Sequence, residues 1–249
     1  MAVGIIGGTG VDNILKDSRR IEKNTPYGRV TILEGKLSHR DSYLIFRHGE
    51  KQSIPPHRVN YRANLWGLKE VGVDRIIAFN AVGSLNEQMK PGDFVLIDDF
   101  FDFTRSRKYT FYETQSVHVD MTEPYCPEMR EIVLKKIDKI HPRGVYLCTE
   151  GPRFETVQEI KVFKLLGCDV VGMTGVPEVI LARELGLCYI SICTVTNLAA
   201  GISKEKLTAK EVLDIMEKKK DEIKSILEKI VPNIPVHKKC GCSTVPKNE

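Results

Sequence analysis

The chain has 249 residues, of which 42% are apolar and 28% are charged, and its formal net charge is +4. This length and composition are typical of one folded domain with a sizeable core, and they exclude a disordered or collagen-like chain. The small charge, without Lys and Arg clusters among aromatic residues, indicates no nucleic-acid partner, and no apolar stretch is long enough to span a bilayer. Because no signal-peptide pattern is present, we expect a cytoplasmic protein.

Short apolar runs that end in polar or glycine residues recur along the chain and predict the strands of a sheet. They cover residues 3–6, 30–33, 43–46, 76–80, 94–97, 145–149, 170–173 and 189–195. Most of these runs are separated by helical patterns. We therefore predict a single α/β domain with a twisted, mostly parallel or mixed central sheet flanked by helices.

The last strong helical pattern begins after Thr208. Thr208 and Glu211 have the spacing of a capping box, and apolar residues follow at helical intervals as far as Ile230, before two prolines end the pattern. The chain has no internal repeat and no low-complexity linker. We predict one domain over residues 1–236 and a C-terminal tail in loop conformation over residues 237–249.

The chain has seven cysteines, and two of them form a Cys-x-Cys pair in the tail. A lone pair of this kind is a weak metal signal, because a zinc site needs a second pair of ligands and only His237 lies nearby in sequence. We therefore predict no metal. Cytosolic disulfides do occur in hyperthermophiles, and a surface rich in Lys and Glu is compatible with that source. Disulfides stay an alternative for five cysteines, Cys126, Cys188, Cys193, Cys240 and Cys242.

Polar and glycine residues follow the predicted strands, where they can meet around one crevice. In open α/β sheets, ligands bind outside the carboxyl ends of the strands. This rule selects a set of candidate residues: Gly8, Thr9, Gly10, Arg47, His48, Asn80, Ala81, Gly83, residues 150–155, Met173, Thr174, Thr196 and Asn197.

Several of these candidates can bind an anion. The glycines around Thr9 let backbone N–H groups point toward a phosphate, although a plain tight turn is an equal alternative. Arg47 offers a planar fork of donors that matches phosphate oxygens, with a surface salt bridge as the rival interpretation. Together with the hydroxyl of Thr174, these groups predict a pocket for free phosphate. A triphosphate with magnesium fits less well, because no paired carboxylates are apparent.

Glu155 and Asn197 have ordinary interpretations when each is considered alone. Glu155 lies in a loop that enters a predicted helix, where the helix dipole favours a carboxylate. Asn197 follows an apolar run, which is a common place for a turn residue. Neither residue alone indicates a role in ligand binding.

Longer motifs along the chain resemble those of a known enzyme family. They are GIIGGTG, RHG, PPHRVNYRAN, NAVGSL, PGD, EGPRFET, VGMTGVPEV and VTNLAAG. They span nearly the whole chain except its C-terminal tail, and they resemble the trimeric purine nucleoside phosphorylases and methylthioadenosine phosphorylases. The resemblance implies the nucleoside phosphorylase fold, with inorganic phosphate as a co-substrate and no cofactor.

The resemblance also implies roles for individual residues. The implied phosphate-binding residues are Thr9, Arg47, His48, Asn80, Ala81 and Thr174. The implied nucleoside-binding residues are Phe154 against the base, Met173 at the ribose, Glu155, Asn197, Leu198 and Ala199. His118 resembles a residue that a neighbouring subunit inserts beside the 5' end of the sugar. A homotrimer, or a hexamer formed by two trimers, is therefore implied.

The base preference follows from Glu155 and Asn197, which the resemblance makes the catalytic pair. Family members that accept 6-oxopurines resemble this chain in having Glu and Asn at these positions. A 6-oxopurine presents a donor at N1 and acceptors at O6 and N7, so a carboxylate accepts from N1 and an amide donates to the acceptors. Adenine would leave Glu155 facing an acceptor, at a cost of about 1–3 kcal/mol. We predict hypoxanthine or guanine as the base.

The sugar preference depends on Ala209. In ordinary purine nucleoside phosphorylases a histidine near the start of the final helix binds the 5'-hydroxyl, and Ala209 takes its place here. An apolar side chain can border a methylthio group, so we predict S-methyl-5'-thioinosine as the preferred substrate, with inosine and guanosine also accepted. The alternatives are a methylthioadenosine phosphorylase, a nucleosidase that uses water, and a noncatalytic nucleoside-binding protein. A sensor of free nucleoside would not need the anion pocket around Arg47.

Overall fold

A computed structural model describes residues 2–8, 10–11, 14–203 and 207–244. Within these residues, ten strands form one sheet and five α-helices pack around it. The strands are β1 (Ala2–Gly7), β2 (Lys16–Thr25), β3 (Gly28–Leu37), β4 (Arg40–Phe46), β5 (Val73–Ser84), β6 (Phe94–Leu96), β7 (Asp99–Phe103), β8 (Val145–Thr149), β9 (Val170–Gly172) and β10 (Cys188–Leu198). The helices are α1 (Tyr61–Glu70), α2 (Pro127–Lys136), α3 (Val157–Leu165), α4 (Gly175–Glu184) and α5 (Ala209–Ile230).

The sheet has a parallel centre. Its strand order is β2-β3-β4-β1-β5-β9-β8-β7, and β10 pairs with both β5 and β6. Strands β4, β1, β5 and β10 run in the same direction, whereas the pairs β2–β3, β3–β4, β5–β9 and β6–β10 are antiparallel. The prediction of an α/β domain with a mixed central sheet is confirmed.

Helices cover both faces of the central strands. Ile6 packs in an apolar cluster with α1 and α4, whereas its neighbour Ile5 packs in a second cluster with α2 and α5. Alternate side chains of a strand point to opposite faces, so β1 is buried along its whole length. This two-sided burial explains why the central strands are continuous apolar runs in the sequence.

Two strands, β2 and β7, were not predicted. The residues of β2, KDSRRIEKNT, are mostly exposed and show no run of apolar residues. The strand forms because β3 supplies a hydrogen-bonding partner along most of its length, and its charges suit an edge strand that must not pair with another molecule. Strand β7 has polar residues between exposed aromatic ones, so its burial pattern also lacks a core signal.

The C-terminal helix α5 forms as predicted, and Thr208 and Glu211 make the expected capping box. In the described part of the chain, no helix combines the length and apolar character needed to cross a membrane. The tail differs from the predicted loop, because residues Gly241–Ser243 form a short 3-10 helix. Cys242 is only 2% exposed and packs against the core. The thiol is apolar enough to be buried, which tethers this part of the tail to the domain.

The parallel centre of the sheet brings strand ends to one edge. Gly8 follows β1 and Arg47 follows β4, while Ala81 and Asn197 lie near the ends of β5 and β10. These residues are far apart in sequence. They meet because the carboxyl ends of parallel neighbours lie side by side.

Candidate active site

A cavity of about 330 Å³ opens at this edge of the sheet. Strand ends form one side of the cavity, and the first turns of α5 form another. Most of the residues predicted to bind phosphate or nucleoside lie on its wall: Arg47, His48, Ala81, Phe154, Glu155, Met173, Thr174, Asn197, Ala199 and Ala209. The anion-binding and base-binding candidates therefore face one space.

Among the described residues, three predicted ones do not lie on this wall. Thr9 lies outside the described residues, although its neighbour Gly8 lines the cavity. Leu198 lines an adjacent depression between β10 and α5. His118 is exposed, with its Nε2 3.2 Å from the hydroxyl of Ser116. Asn80 is 2% exposed and does not line the cavity, and its role in phosphate binding stays a prediction.

Arg47 forms a buried ion pair with Glu178. Its Nε and Nη2 donate to the two carboxylate oxygens at 2.7 Å each, and its Nη1 donates to the carbonyl of Phe79 at 2.9 Å. Within the described residues these bonds use three of its five N–H donors, so two remain. The predicted rival, a surface salt bridge, is wrong because both side chains are at most 1% exposed.

The ion pair changes the electrostatics predicted for the cavity. The carboxylate of Glu178 balances the charge of Arg47, and the hydroxyl of Tyr189 donates to the same carboxylate at 2.8 Å. A bound anion would therefore be held by directed N–H donors in a low-dielectric setting more than by net charge. The pair also fixes the guanidinium plane before any ligand arrives.

A chain of hydrogen bonds orients the Thr174 hydroxyl. Ser191 donates to Asn80 Oδ1 at 2.9 Å, and Asn80 Nδ2 donates to Thr174 Oγ1 at 2.8 Å. Because Oγ1 already accepts this bond, its own proton is free to donate into the cavity. Asn80 is thus a positioning residue for Thr174.

His48 is a neutral acceptor in this setting. Its Nδ1 lies 2.7 Å from the carbonyl oxygen of Ile54. A carbonyl only accepts, so Nδ1 carries the proton and Nε2 presents a lone pair. Burial lowers the pKa of His48 and the charge of Arg47 lowers it further, against the opposing effect of the Ile54 hydrogen bond. The ring can therefore accept from a phosphate or sugar hydroxyl at neutral pH.

Glu155 presents one free carboxylate oxygen to the cavity. The hydroxyl of Thr149, at the end of β8, donates to Glu155 Oε1 at 2.6 Å. Burial raises the pKa of Glu155, although the Thr149 hydrogen bond acts in the opposite direction. Oε2 is left to accept from a ligand.

Asn197 reaches the cavity through a β-bulge. The register of β10 against β5 passes from Val195 opposite Val82 to Asn197 opposite Gly83, so Thr196 is an extra residue. A bulge redirects the side chains that follow it, and both Thr196 and Asn197 line the cavity.

Hydrogen bonds fix the orientation of the Asn197 amide. Its Oδ1 lies 2.9 Å from Thr196 Oγ1, and its Nδ2 donates to the carbonyl of Leu198 at 3.0 Å. One N–H is left to donate to a ligand. A Cβ at Gly83 would lie 3.1 Å from Asn197 Nδ2, so glycine on the neighbouring strand leaves room for the amide.

One side of the cavity is apolar. Ala209, Val212, Leu213 and Met216 line it from α5. Their spacing of three and four residues places them on one face of the helix. Leu213 is 51% exposed, which is unusual for a leucine on the inner face of a helix. This side of the cavity therefore offers contact to an apolar group and no hydrogen-bond donor from these four side chains.

Sequence reasoning missed two supporting residues, Glu178 and Arg107. Arg107 is 8% exposed and donates to the carbonyls of Thr149, Glu150 and Val176. These bonds hold the segment that leads to Glu155. Glu178 lies within the motif VGMTGVPEV but has no local signal of its own, and nothing in the local sequence distinguishes Arg107 from a surface arginine.

Most of the chain matches a known family model. The model described as "Phosphorylase superfamily" covers residues 2–232. The chain is 48% identical to a protein of Pyrococcus furiosus named 6-oxopurine nucleoside phosphorylase, over 98% of this chain and 97% of that protein. It is 49% identical to a Methanocaldococcus jannaschii protein named probable S-methyl-5'-thioinosine phosphorylase, over 99% of this chain and 98% of that protein.

A solved structure has the same fold. The methylthioadenosine phosphorylase of Schistosoma mansoni, solved in complex with adenine, superimposes with a TM-score of 0.90. Its sequence is 36% identical, and the alignment covers 94% of this chain and 91% of that one. The strand ends that line the cavity therefore belong to a fold that this chain shares with a protein 36% identical to it.

Proposed function

The chain belongs to the phosphorylase superfamily, and on that premise we propose that it cleaves 6-oxopurine nucleosides with inorganic phosphate. The enzyme is a pentosyltransferase of the nucleoside phosphorylase type. We propose S-methyl-5'-thioinosine as its preferred substrate, with inosine and guanosine also accepted. The single observation that carries the proposal is the presence of Glu155 and Asn197 on the wall of the cavity that also contains Arg47 and Thr174.

The base is recognised by complementary polarity. Oε2 of Glu155 accepts from N1–H of a 6-oxopurine, and the free N–H of Asn197 donates to N7. Because Leu198 occupies the other N–H of this amide, a bond to N7 and a bond to O6 are not made by Asn197 at the same time. Phe154 and the backbone near it lie against the base.

Catalysis follows from the charges that develop during bond cleavage. As the C1'–N9 bond breaks, positive charge builds on the sugar and negative charge on the purine. Asn197 stabilises the purine anion by donating to N7. A phosphate oxygen held by Arg47, Thr174 and His48 forms the new bond to C1', and the purine gains a proton from solvent. The products are hypoxanthine and 5-methylthioribose 1-phosphate, with phosphate as co-substrate and no other cofactor.

Thr174→Val is expected to weaken phosphate binding. The variant removes the hydroxyl that Asn80 orients toward the cavity but preserves the shape of the side chain. A hydrogen bond to a charged group contributes about 1.5–3 kcal/mol, so KM for phosphate should rise by about 10–100-fold. Thr194→Val is the matched control, because its hydroxyl is buried on the same sheet with no hydrogen-bond partner among the described residues. Equal phosphate KM values for the two variants would remove Thr174 from the phosphate site.

The pH dependence of kcat/KM for inosine is expected to reflect the ionisation of Glu155. Burial raises the pKa of this carboxyl above the usual value of 4.5, so it becomes protonated at a higher pH than an exposed glutamate. Protonation removes the charge that accepts from N1–H, and kcat/KM for inosine should therefore fall as pH decreases through the raised pKa. Glu155→Gln should lose this acid limb. If the variant keeps the same limb, another group is responsible for it.

The apolar side chains of α5 on the cavity wall favour a substrate with a methylthio group at the 5' position. We expect Ala209→His to favour a hydroxyl, because an imidazole can donate to a 5'-hydroxyl and crowds a methylthio group. The kcat/KM ratio of methylthioinosine to inosine should fall about 10-fold or more. Lys210→His, one position along the exposed side of the helix, is the control and should leave the ratio unchanged. A ratio unaffected by Ala209→His would place the 5' group elsewhere.

The assembly proposed for this enzyme is a homotrimer or a hexamer of two trimers. In a single chain His118 is exposed and is absent from the cavity wall. A neighbouring subunit that contributes His118 would complete the site beside the 5' group. A cytoplasmic location stays a prediction.

The main rival reaction is hydrolysis by a nucleosidase. Turnover of inosine with and without phosphate distinguishes the two reactions, and analysis of the sugar product identifies the acceptor. We expect sugar 1-phosphate in the presence of phosphate and negligible cleavage in its absence. Free sugar formed at the same rate without phosphate would contradict the proposal.

A further inference from the structure

Four cysteines from three parts of the chain meet near the start of β10, at the end of this strand away from the cavity. Cys126 directly precedes α2, Cys188 is the first residue of β10, and Cys240 and Cys242 come from the C-terminal tail. Their four sulfur atoms all lie within 4.8 Å of one another. The prediction of no metal considered ligand spacing along the sequence, which does not reveal ligands separated by more than a hundred residues.

The sulfur spacing suits a tetrahedral metal ion. Sulfur atoms of Cys188 and Cys240 are 3.3 Å apart, and those of Cys126 and Cys240 are 3.6 Å apart. With zinc–sulfur bonds of about 2.3 Å, neighbouring ligands of a tetrahedron lie roughly 3.8 Å apart. Small side-chain adjustments would therefore place all four sulfurs around one ion.

Positive groups lie beside two of the four sulfur atoms. Cys126 is the N-cap residue of α2, where the positive end of the helix dipole lowers the energy of an anion. The fully buried Arg75 donates from Nη1 to the sulfur of Cys188 at 3.4 Å. Its Nε has no hydrogen-bond partner among the described residues. Four thiolates around a divalent ion carry a net charge of −2, which a buried arginine partly balances.

The charge of Arg75 is shared with two carboxylates. Oxygens of Asp74 and Glu128 each lie 3.6 Å from its guanidinium. These distances exceed those of direct hydrogen bonds, so the donors of Arg75 are not fully used by the carboxylates. Its Nη2 also donates to the carbonyl of Pro235 at 3.1 Å, which links the tail to the same cluster.

We propose that Cys126, Cys188, Cys240 and Cys242 form a structural tetrathiolate site for Zn²⁺. The site contains no open position for substrate, because all four ligands come from the protein. Cys188 and Asn197 lie at opposite ends of β10, about 30 Å apart at 3.3 Å per residue. The ion therefore fastens the tail to α2 and β10 and takes no part in the reaction.

The first test measures metal and thiols in the wild-type protein. The chain is purified without oxygen and without reductant, dialysed against zinc and then freed of unbound ion. Zinc is quantified by mass spectrometry, and thiols are counted in denaturant with a chelator. We expect one zinc per chain and all seven thiols of the chain. Three thiols without zinc would indicate two disulfides among the four residues and would overturn the proposal, as would seven thiols without zinc.

The second test assigns the ligands. Co²⁺ replaces zinc, and we expect the intense d–d and thiolate charge-transfer bands of tetrahedral cobalt bound to sulfur. Cys240→Ser should reduce these bands, weaken metal binding at least 10-fold and lower the Tm in the presence of zinc. Cys193→Ser is the control, because Cys193 is buried but lies outside the cluster. Cobalt bands that are the same in Cys240→Ser as in the wild type would contradict the assignment.

Discussion

Asn197→Ala is expected to lower kcat for inosine by about 10²–10³-fold with a much smaller change in KM. The amide of Asn197 is held in place before substrate binds, since Thr196 contacts its oxygen and Leu198 accepts from its nitrogen. In the proposed complex its free N–H would therefore donate to N7 without reorganisation. The bond to N7 strengthens as the purine becomes anionic, so its loss affects the transition state more than the bound substrate.

The control for this variant is Asn233→Ala. Asn233 lies just after the end of α5, where it donates to the carbonyl of Lys229, and it does not line the cavity. The Asn233→Ala variant should retain the wild-type kcat. Single-turnover kinetics would show whether the defect of Asn197→Ala lies in bond cleavage. Full kcat with only a raised KM would show that Asn197 binds the base but does not stabilise the leaving group.

Glu155→Gln is expected to reduce the preference for 6-oxopurines over adenine by about 100-fold. The charged acceptor for N1–H is replaced by a neutral amide, and hydrogen bonds to charged groups contribute about 1 kcal/mol more than neutral ones. The same amide can donate to N1 of adenine, which the carboxylate cannot do. The two effects act in opposite directions on inosine and adenosine, so their kcat/KM ratio is the sensitive measurement.

Glu159→Gln is the matched control for this specificity change. Glu159 lies four residues further along the same segment, completes the capping box of α3 and does not line the cavity. Gln also supports a capping box, so the helix start should be preserved. Equal kcat/KM ratios of inosine to adenosine in Glu155→Gln and the wild type would show that Glu155 does not distinguish the two bases.

The central sheet and α5 could be predicted from the sequence for specific physical reasons. Strands such as β1 and β10 are buried on both faces and therefore appear as apolar runs. The capping box of Thr208 and Glu211 marks the start of α5. Strand β2 left no such signal, because its partner β3 and its edge position stabilise it rather than its own burial.

The candidate site was predictable only in part. Strand ends pointed to Arg47 and Asn197, because the carboxyl ends of parallel strands meet. Thr174 was also selected as the end of a strand, but it follows β9, which runs antiparallel to β5. The buried partner Glu178 could not be identified, since its contact with Arg47 spans 131 positions of sequence. The bulge at Thr196 was equally hidden, because register depends on two strands and not on one.

The cysteine cluster was also hidden, because its ligands are far apart in sequence. Cys126 and Cys240 are separated by 114 positions, and their contact depends on how α2 and the tail pack against β10. Local spacing rules apply when both ligand pairs lie on short loops. Here only one pair does, so the sequence led to the prediction of no metal and left disulfides as an alternative.

Competition between methylthioinosine and methylthioadenosine in saturating phosphate tests the central claim most directly. Both nucleosides carry the same sugar, so the ratio of their kcat/KM values depends on the base alone. A site that uses Glu155 to accept and Asn197 to donate should favour methylthioinosine by about 100-fold or more. Equal rates, or a preference for methylthioadenosine, would contradict the assignment of these two side chains to a 6-oxopurine.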